Sequence, residues 1–312
     1  MKRLLTIMAF LAGFWFAAAP AHANQETTIP FEVNDEGLLI VGLTLNGDVA
    51  TDAIFDTGAT FPILGHHTAA RIGLVTTSES ATVDIVGIGL QHTFPVASVN
   101  DVGLGPLSLG AMKTAYGRDF DVHGTDTVIP ARLLPHRTLD FDFEESRLTA
   151  YDRRPARVFK STTSKLPVTW INSLPFVEVK VNGVEGLALI DTGASNTFIN
   201  SAFARGAAQS PKSFRTVEVI GSTGNVTPLR ILSSRRFKLG DFEVSRFDVI
   251  VIDPAFLEAC GLTDRPVMVL GLDILRQFRV QLDRGSDQIH LSKKLPRPDR
   301  LPGMYLGSTR RF

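Results

Sequence analysis

A single cysteine, Cys260, means that the chain can close no intramolecular disulfide and offers no multi-cysteine zinc or iron–sulfur site. It also lacks a surplus of charge: 32 Lys and Arg stand against 32 Asp and Glu in 312 residues. No net field therefore draws it to nucleic acid or to an anionic membrane. Tyrosine and tryptophan are scarce, at 3 and 2 residues, whereas 21 phenylalanines point to filled hydrophobic cores rather than to a half-polar binding surface. There is no Gly-x-Ser-x-Gly elbow and no histidine near Cys260. The Gly87-Ile88-Gly89 and Gly103-Leu104-Gly105 runs lack the continuation of a phosphate loop. His66 and His67 diverge on a helix and have no acidic ligand at metal spacing, so they read as surface residues. Neither a metal nor a cofactor is expected. What remains, at 44% hydrophobic residues, is too apolar and too evenly charged for a disordered chain.

Long hydrophobic runs are also missing, except one at the start. Met1-Lys2-Arg3, an apolar stretch over 4–19 and the small-residue site Ala21-His22-Ala23 have the form of a secretory signal peptide. The stretch is short for a membrane span, and polar residues follow at once. The expectation is a signal peptide over 1–23 and a periplasmic or secreted protein, with no membrane association after cleavage.

What the sequence does contain is an internal repeat. Ala53-Ile54-Phe55-Asp56-Thr57-Gly58-Ala59-Thr60 returns 135 residues later as Ala188-Leu189-Ile190-Asp191-Thr192-Gly193-Ala194-Ser195. Leu43-Thr44-Leu45-Asn46-Gly47 returns as Val179-Lys180-Val181-Asn182-Gly183, and Thr82-Val83-Asp84-Ile85-Val86-Gly87 as Thr216-Val217-Glu218-Val219-Ile220-Gly221. Later, Leu104-Gly105 matches Leu239-Gly240, Val128-Ile129-Pro130 faces Val269-Leu270-Gly271, and Leu139-Asp140-Phe141-Asp142 faces Val280-Gln281-Leu282-Asp283. The blocks keep their order, so the unit is duplicated. It is mainly β: apolar and polar residues alternate, and Asn46-Gly47 and Asn182-Gly183 suit type I′ hairpin turns, which need positive φ at both positions. Short helices are expected near 65–72 and 272–278. The expected organisation is a first lobe over 24–151, a basic, exposed connection over 152–173, a second lobe over 174–294 and a Pro-rich tail over 295–312.

Each half places Asp-Thr-Gly directly after an apolar strand. A carboxylate there is costly to bury unless something satisfies or uses it. One such motif alone would read as a turn or cap. Two at equivalent points of a duplicated unit meet at the pseudo-twofold axis. Carboxylates held close cannot both ionise easily and share a proton, which leaves one as base and one as acid around a single water.

The motif hydrophobic–hydrophobic–Asp-Thr-Gly-Ala stands at Ile54-Phe55-Asp56-Thr57-Gly58-Ala59 and at Leu189-Ile190-Asp191-Thr192-Gly193-Ala194, and the later hydrophobic–hydrophobic–Gly at Val269-Leu270-Gly271. In these motifs the chain resembles the aspartic peptidases of the pepsin/retropepsin clan. The resemblance implies a mainly β fold of duplicated retropepsin-like β-barrel lobes, in a pepsin-like bilobal arrangement with a cleft between them. It implies catalytic roles for Asp56 and Asp191, and loop support from Thr57, Gly58, Thr192 and Gly193. Two flaps are implied, at Gly87, Ile88 and Gly89 and at Gly221, Ser222 and Thr223. The substrate would be a peptide or protein, no cofactor would be needed, and a monomer would suffice because one chain supplies both loops. The first half departs from the pattern with Pro130 in the Gly position and no Tyr in its flap. Ala59 and Ala194 stand where pepsin-like relatives commonly carry Ser or Thr, and the nearest hydroxyls are those of Thr60 and Ser195. A non-catalytic peptide- or ligand-binding protein on the same scaffold is the alternative.

Overall fold

In the computed structural model, residues 26–75, 80–89, 91–117, 125–220 and 226–295 are described. The expected signal segment, all but the first residue of the expected tail, and the flap residues Gly221, Ser222 and Thr223 lie outside them.

The two Asn-Gly turns behave as their composition demands. Both residues of each have positive φ, 50° and 81° at Asn46-Gly47, 51° and 89° at Asn182-Gly183. They join Leu39–Leu45 to Val49–Asp56 in the first half and Leu174–Val181 to Val184–Ile190 in the second. In each half the first of these strands also pairs with a distant one, Leu43 with Leu104 and Val179 with Leu239, and so closes the sheet on itself. The result is two six-stranded barrels, one per repeat. Phe55 and Phe141 are fully buried in the first half, and Phe176, Phe203 and Phe237 in the second, as the surplus of Phe suggests.

A second sheet binds the halves together. Its order is Ser161–Pro167, Gln288–Lys294, Arg279–Asp283, Thr138–Asp142, Arg147–Tyr151, Thr27–Val33, with three strands from each repeat. At its centre Phe141 pairs with Val280 and Leu139 with Leu282, antiparallel, so the pseudo-twofold passes between these strands. This sheet corrects the reading of 152–173 as an exposed connection. Ser161–Pro167 is a full strand along Gln288–Lys294, and Thr169–Ile171 pairs with Leu174–Phe176. It is the second repeat's counterpart of Thr27–Val33. As an edge strand it buries little: Ser164 and Leu166 alone are inside, which leaves a polar sequence.

Cross-lobe charges reinforce the sheet. Asp140, 1% exposed, accepts from Arg279 Nε (2.8 Å) and Nη2 (2.9 Å), from Gln281 Nε2 (2.8 Å) and from the Tyr151 hydroxyl (3.1 Å). Burial, and then the Asp140 charge, push the Tyr151 phenol up to about 12. On the other side of the axis Arg137 Nε donates to Asp283 at 2.9 Å.

The expected helices are present as His66–Arg71 and, shorter than expected, Leu272–Leu275. A third, Ser201–Ala207, begins at Asn200, whose side chain accepts from the Phe203 N–H at 2.9 Å. It lies one repeat length after His66–Arg71, so the duplication itself marks its place.

Candidate active site

Val49–Asp56 and Val184–Ile190 end where the lobes meet, and each delivers its Asp-Thr-Gly loop to the junction. The buried Thr57 hydroxyl donates to the Ile190 carbonyl (2.7 Å) and accepts from the Thr192 N–H (3.0 Å). The Thr192 hydroxyl answers with the Phe55 carbonyl (2.7 Å) and the Thr57 N–H (3.0 Å). Every partner lies in the opposite lobe, so the two loops are locked to each other in one geometry.

Inside this lock the glycines are obligatory. A Cβ on Gly58 would lie 2.7 Å from Asp191 Cγ, and one on Gly193 would lie 2.3 Å from Asp56 Cγ. The space beside each glycine is filled by the other lobe's carboxylate. Gly58 N–H donates to Asp56 Oδ1 (2.6 Å) and Gly193 N–H to Asp191 Oδ1 (2.8 Å).

The two half-buried carboxylates are thus brought together across the junction, each beside the glycine that follows the other. Burial is the main cause that raises both above the ordinary carboxylate range. Asp191 is raised further by the charge of Asp56 and by the hydrogen bond to it. Backbone donors pull the other way, from Gly58 and Ala59 at Asp56 and from Gly193 and Ala194 at Asp191. Among the described residues neither Thr60 nor Ser195 gives a hydroxyl to either carboxylate; Ser195 Oγ instead accepts from Asn196 Nδ2 at 3.2 Å. The arrangement is a pair of carboxyl groups, one from each lobe, each set against the glycine that follows the other.

A model of the family described as aspartyl protease matches residues 41–129 and 177–274, with one Asp-Thr-Gly in each stretch. The chain belongs to the aspartyl protease family. No curated protein matches it.

The two halves of the chain differ in the loop beneath each aspartate. In the second, Gly271 N–H donates to the Thr197 hydroxyl (3.0 Å), which donates in turn to Asp273 Oδ1 (2.6 Å). In the first half the counterparts are Pro62, Pro130 and Arg132. Donor and acceptor have been removed together, so no buried polar group is orphaned. Pro130 sits at φ −65° in extended backbone beside Asp56, the value its ring imposes.

The flap expected in the first lobe falls on the hairpin of Thr82–Val86 with the start of Gln91–Leu104. Its tip spans the gap between the lobes: the Ala255 N–H donates to the Ile88 carbonyl (3.2 Å) and the Phe256 N–H to the Gly87 carbonyl (3.3 Å). Sequence reasoning missed Ala255 and Phe256 because backbone donors leave no mark in the residue types. Gly87, Ile88 and Gly89 are thus placed across the junction. His66 and His67 are exposed, as expected.

Proposed function

We propose that the chain is an aspartic endopeptidase that hydrolyses peptide bonds with a water activated between Asp56 and Asp191. The observation that carries this reading is the pair of carboxyl groups brought together across the junction, each against the other lobe's glycine, with burial raising both. The ionised member takes a proton from the water, whose oxygen attacks the scissile carbonyl carbon. The protonated member donates to the carbonyl oxygen. Collapse of the tetrahedral intermediate then breaks the C–N bond as the amine nitrogen gains a proton. The pair titrates jointly, so neither aspartate has a fixed role in the resting state. An extended peptide would lie between the lobes and pair its backbone with the flap. One chain supplies both loops, so the proposal requires no dimer.

The test is digestion of a mixture of synthetic peptides from about pH 3 to about pH 8, since the ordinary carboxylate range lies at its acid end. The productive form holds one proton. Its acidic limb follows the lower apparent pKa of the pair and its basic limb the upper one. Burial raises both, so activity is expected to reach mildly acidic to near-neutral pH. Ala59→Ser with Ala194→Ser adds hydroxyl donors to the ionised carboxylate and should move the acidic limb to lower pH. A limb that stayed in place or moved up would contradict this account of the donors. No cleavage at any pH would leave the binding-protein reading in its place.

The flap offers a second check. Ala255 has φ −61° and so accepts proline without strain, but proline removes its N–H. Ala255→Pro is expected to raise KM by about three- to tenfold, the value of one hydrogen bond, with little change in melting temperature. An unchanged KM would show that the flap holds peptide without this bond.

A further inference from the structure

Each lobe serves as a control for the other, and at one flank of the cleft their chemistry diverges. Asp273 in the second lobe is occupied within its own loop, where it accepts from the Thr197 hydroxyl and from the Ile274 N–H (3.0 Å). Arg132 holds the same place in the first lobe, where Pro62 stands in place of the hydroxyl-bearing Thr197. Among the described residues its one hydrogen bond is to the Thr60 carbonyl (3.1 Å), and its side chain is exposed.

Arg132 lines a cavity of about 370 Å³ together with Thr57, Ala59, Trp170, Ser173 and Arg284. The cavity therefore opens directly beside the first Asp-Thr-Gly loop. A second hollow of about 270 Å³ on the other side of Arg132 adds Lys113. Arg284 arrives from the second lobe and donates to carbonyls alone: Leu134, Ala131 (2.8 Å) and His136 (3.4 Å). The adjacent carboxylate, Asp283, is taken by Arg137. Burial with no anion beside it pulls the Arg284 guanidinium down to about 10. Among the described residues neither Arg132 nor Arg284 forms an ion pair. Across the pseudo-twofold, the matching positions carry Asp273 and Phe143, so the opposite flank has no such pair of cations. Two cations from two lobes converge on one cavity without a counter-charge, and a half-buried charge is stabilised by an opposite one.

Resting on the peptidase reading above, we propose that this cavity is a subsite for a carboxylate of the bound peptide, and that Arg132 and Arg284 give the enzyme a preference for an acidic group on one side of the scissile bond. The carboxylate can belong to an Asp or Glu side chain or to the peptide's own C-terminus.

The experiment uses random-sequence synthetic peptides, with free and with amidated C-termini, and maps the cleaved bonds by mass spectrometry. Asp or Glu should be enriched at one position. Changing that residue to Gln should lower kcat/KM about tenfold, the worth of a partly exposed charge-assisted pair. Arg132→Gln should bring this ratio close to one, and Arg132→Glu should turn the preference toward Lys and Arg, which no loss of fold would do. Enrichment that persists in amidated peptides assigns a side-chain carboxylate; enrichment confined to free C-termini assigns the terminal one. A wild-type ratio near one, or a ratio untouched by Arg132→Gln, overturns the subsite and leaves the peptidase standing. The Asp56→Asn protein, used to capture peptides from the same mixture, separates the two readings further. Capture of acidic peptides, lost on adding Arg132→Gln, supports the subsite even if the wild type cleaves nothing. Capture with no acidic preference overturns it.

Discussion

Asp56→Asn and Asp191→Asn are each expected to lower turnover at least about a thousandfold while the fold remains intact. Each carboxylate has half of one acid–base task, and an amide neither takes a proton from water nor gives one to a carbonyl oxygen. The backbone geometry has no reason to change. An Asn Oδ1 still accepts the Gly58 N–H that Asp56 accepts at 2.6 Å, and the Thr57–Thr192 lock does not involve the carboxylates. The stability of the variants provides the control. Burial, then the charge of Asp56, lifts Asp191 above its unfolded value, so the folded protein holds a proton that the unfolded chain releases first. A raised carboxyl lowers stability progressively as pH climbs from the unfolded pKa, about 3.9, through the folded one. Asp191→Asn removes that penalty. The variant should therefore melt above wild type at neutral pH and close to it at about pH 3. Near-full activity in either variant would end the shared-dyad reading, and a large loss of stability would make the activity loss uninformative.

Asp140→Ala is expected to cost about 3 kcal/mol and to lower the melting temperature by roughly 10 °C. Asp140 accepts four hydrogen bonds at the centre of the sheet that joins the lobes, two of them from Arg279. Truncation leaves that half-buried guanidinium with Asp142 alone, at 3.1 Å. It also strips Tyr151 and Gln281 of a shared partner. Asp140→Leu combined with Arg279→Leu should recover part of the loss, because both charges then leave the interior together. Thermal melts of the two variants decide the matter. A single variant within about a degree of wild type would mean that the network adds little to cohesion between the lobes.

The Asp-Thr-Gly loops were legible because duplication turned two weak motifs into one argument, and because Asn46-Gly47 and Asn182-Gly183 are rare enough to name their turn. The helix Ser201–Ala207 was missed, although it lies one repeat length after His66–Arg71 and the duplication could have placed it. Ser161–Pro167 escaped because an edge strand with two buried side chains carries almost no hydrophobic period. The flap's partners escaped for a different reason: the Ala255 and Phe256 amides could be any residue's amides. The cationic cavity was out of reach as well. Arg132 and Arg284 lie 152 residues apart, and only closure of the barrels and the joining sheet brings them to one place.

The two prolines under Asp56 also constrain the order in which the lobes drifted apart. Suppose the ancestral half carried the Thr and Gly now seen at Thr197 and Gly271. A proline arriving first at the threonine site strands a buried N–H, at a cost of about 1–3 kcal/mol. One arriving first at the glycine site strands nothing comparable, since the hydroxyl keeps its own donation to the carboxylate below. The passable route runs through position 130, then 62. Once both are in place, restoring the glycine alone recreates the stranded amide, so reversal has to pass through position 62 first. Arg132 stands on the far side of that route. The third member of the old triad no longer had a hydroxyl to receive, and its charge was free to change sign.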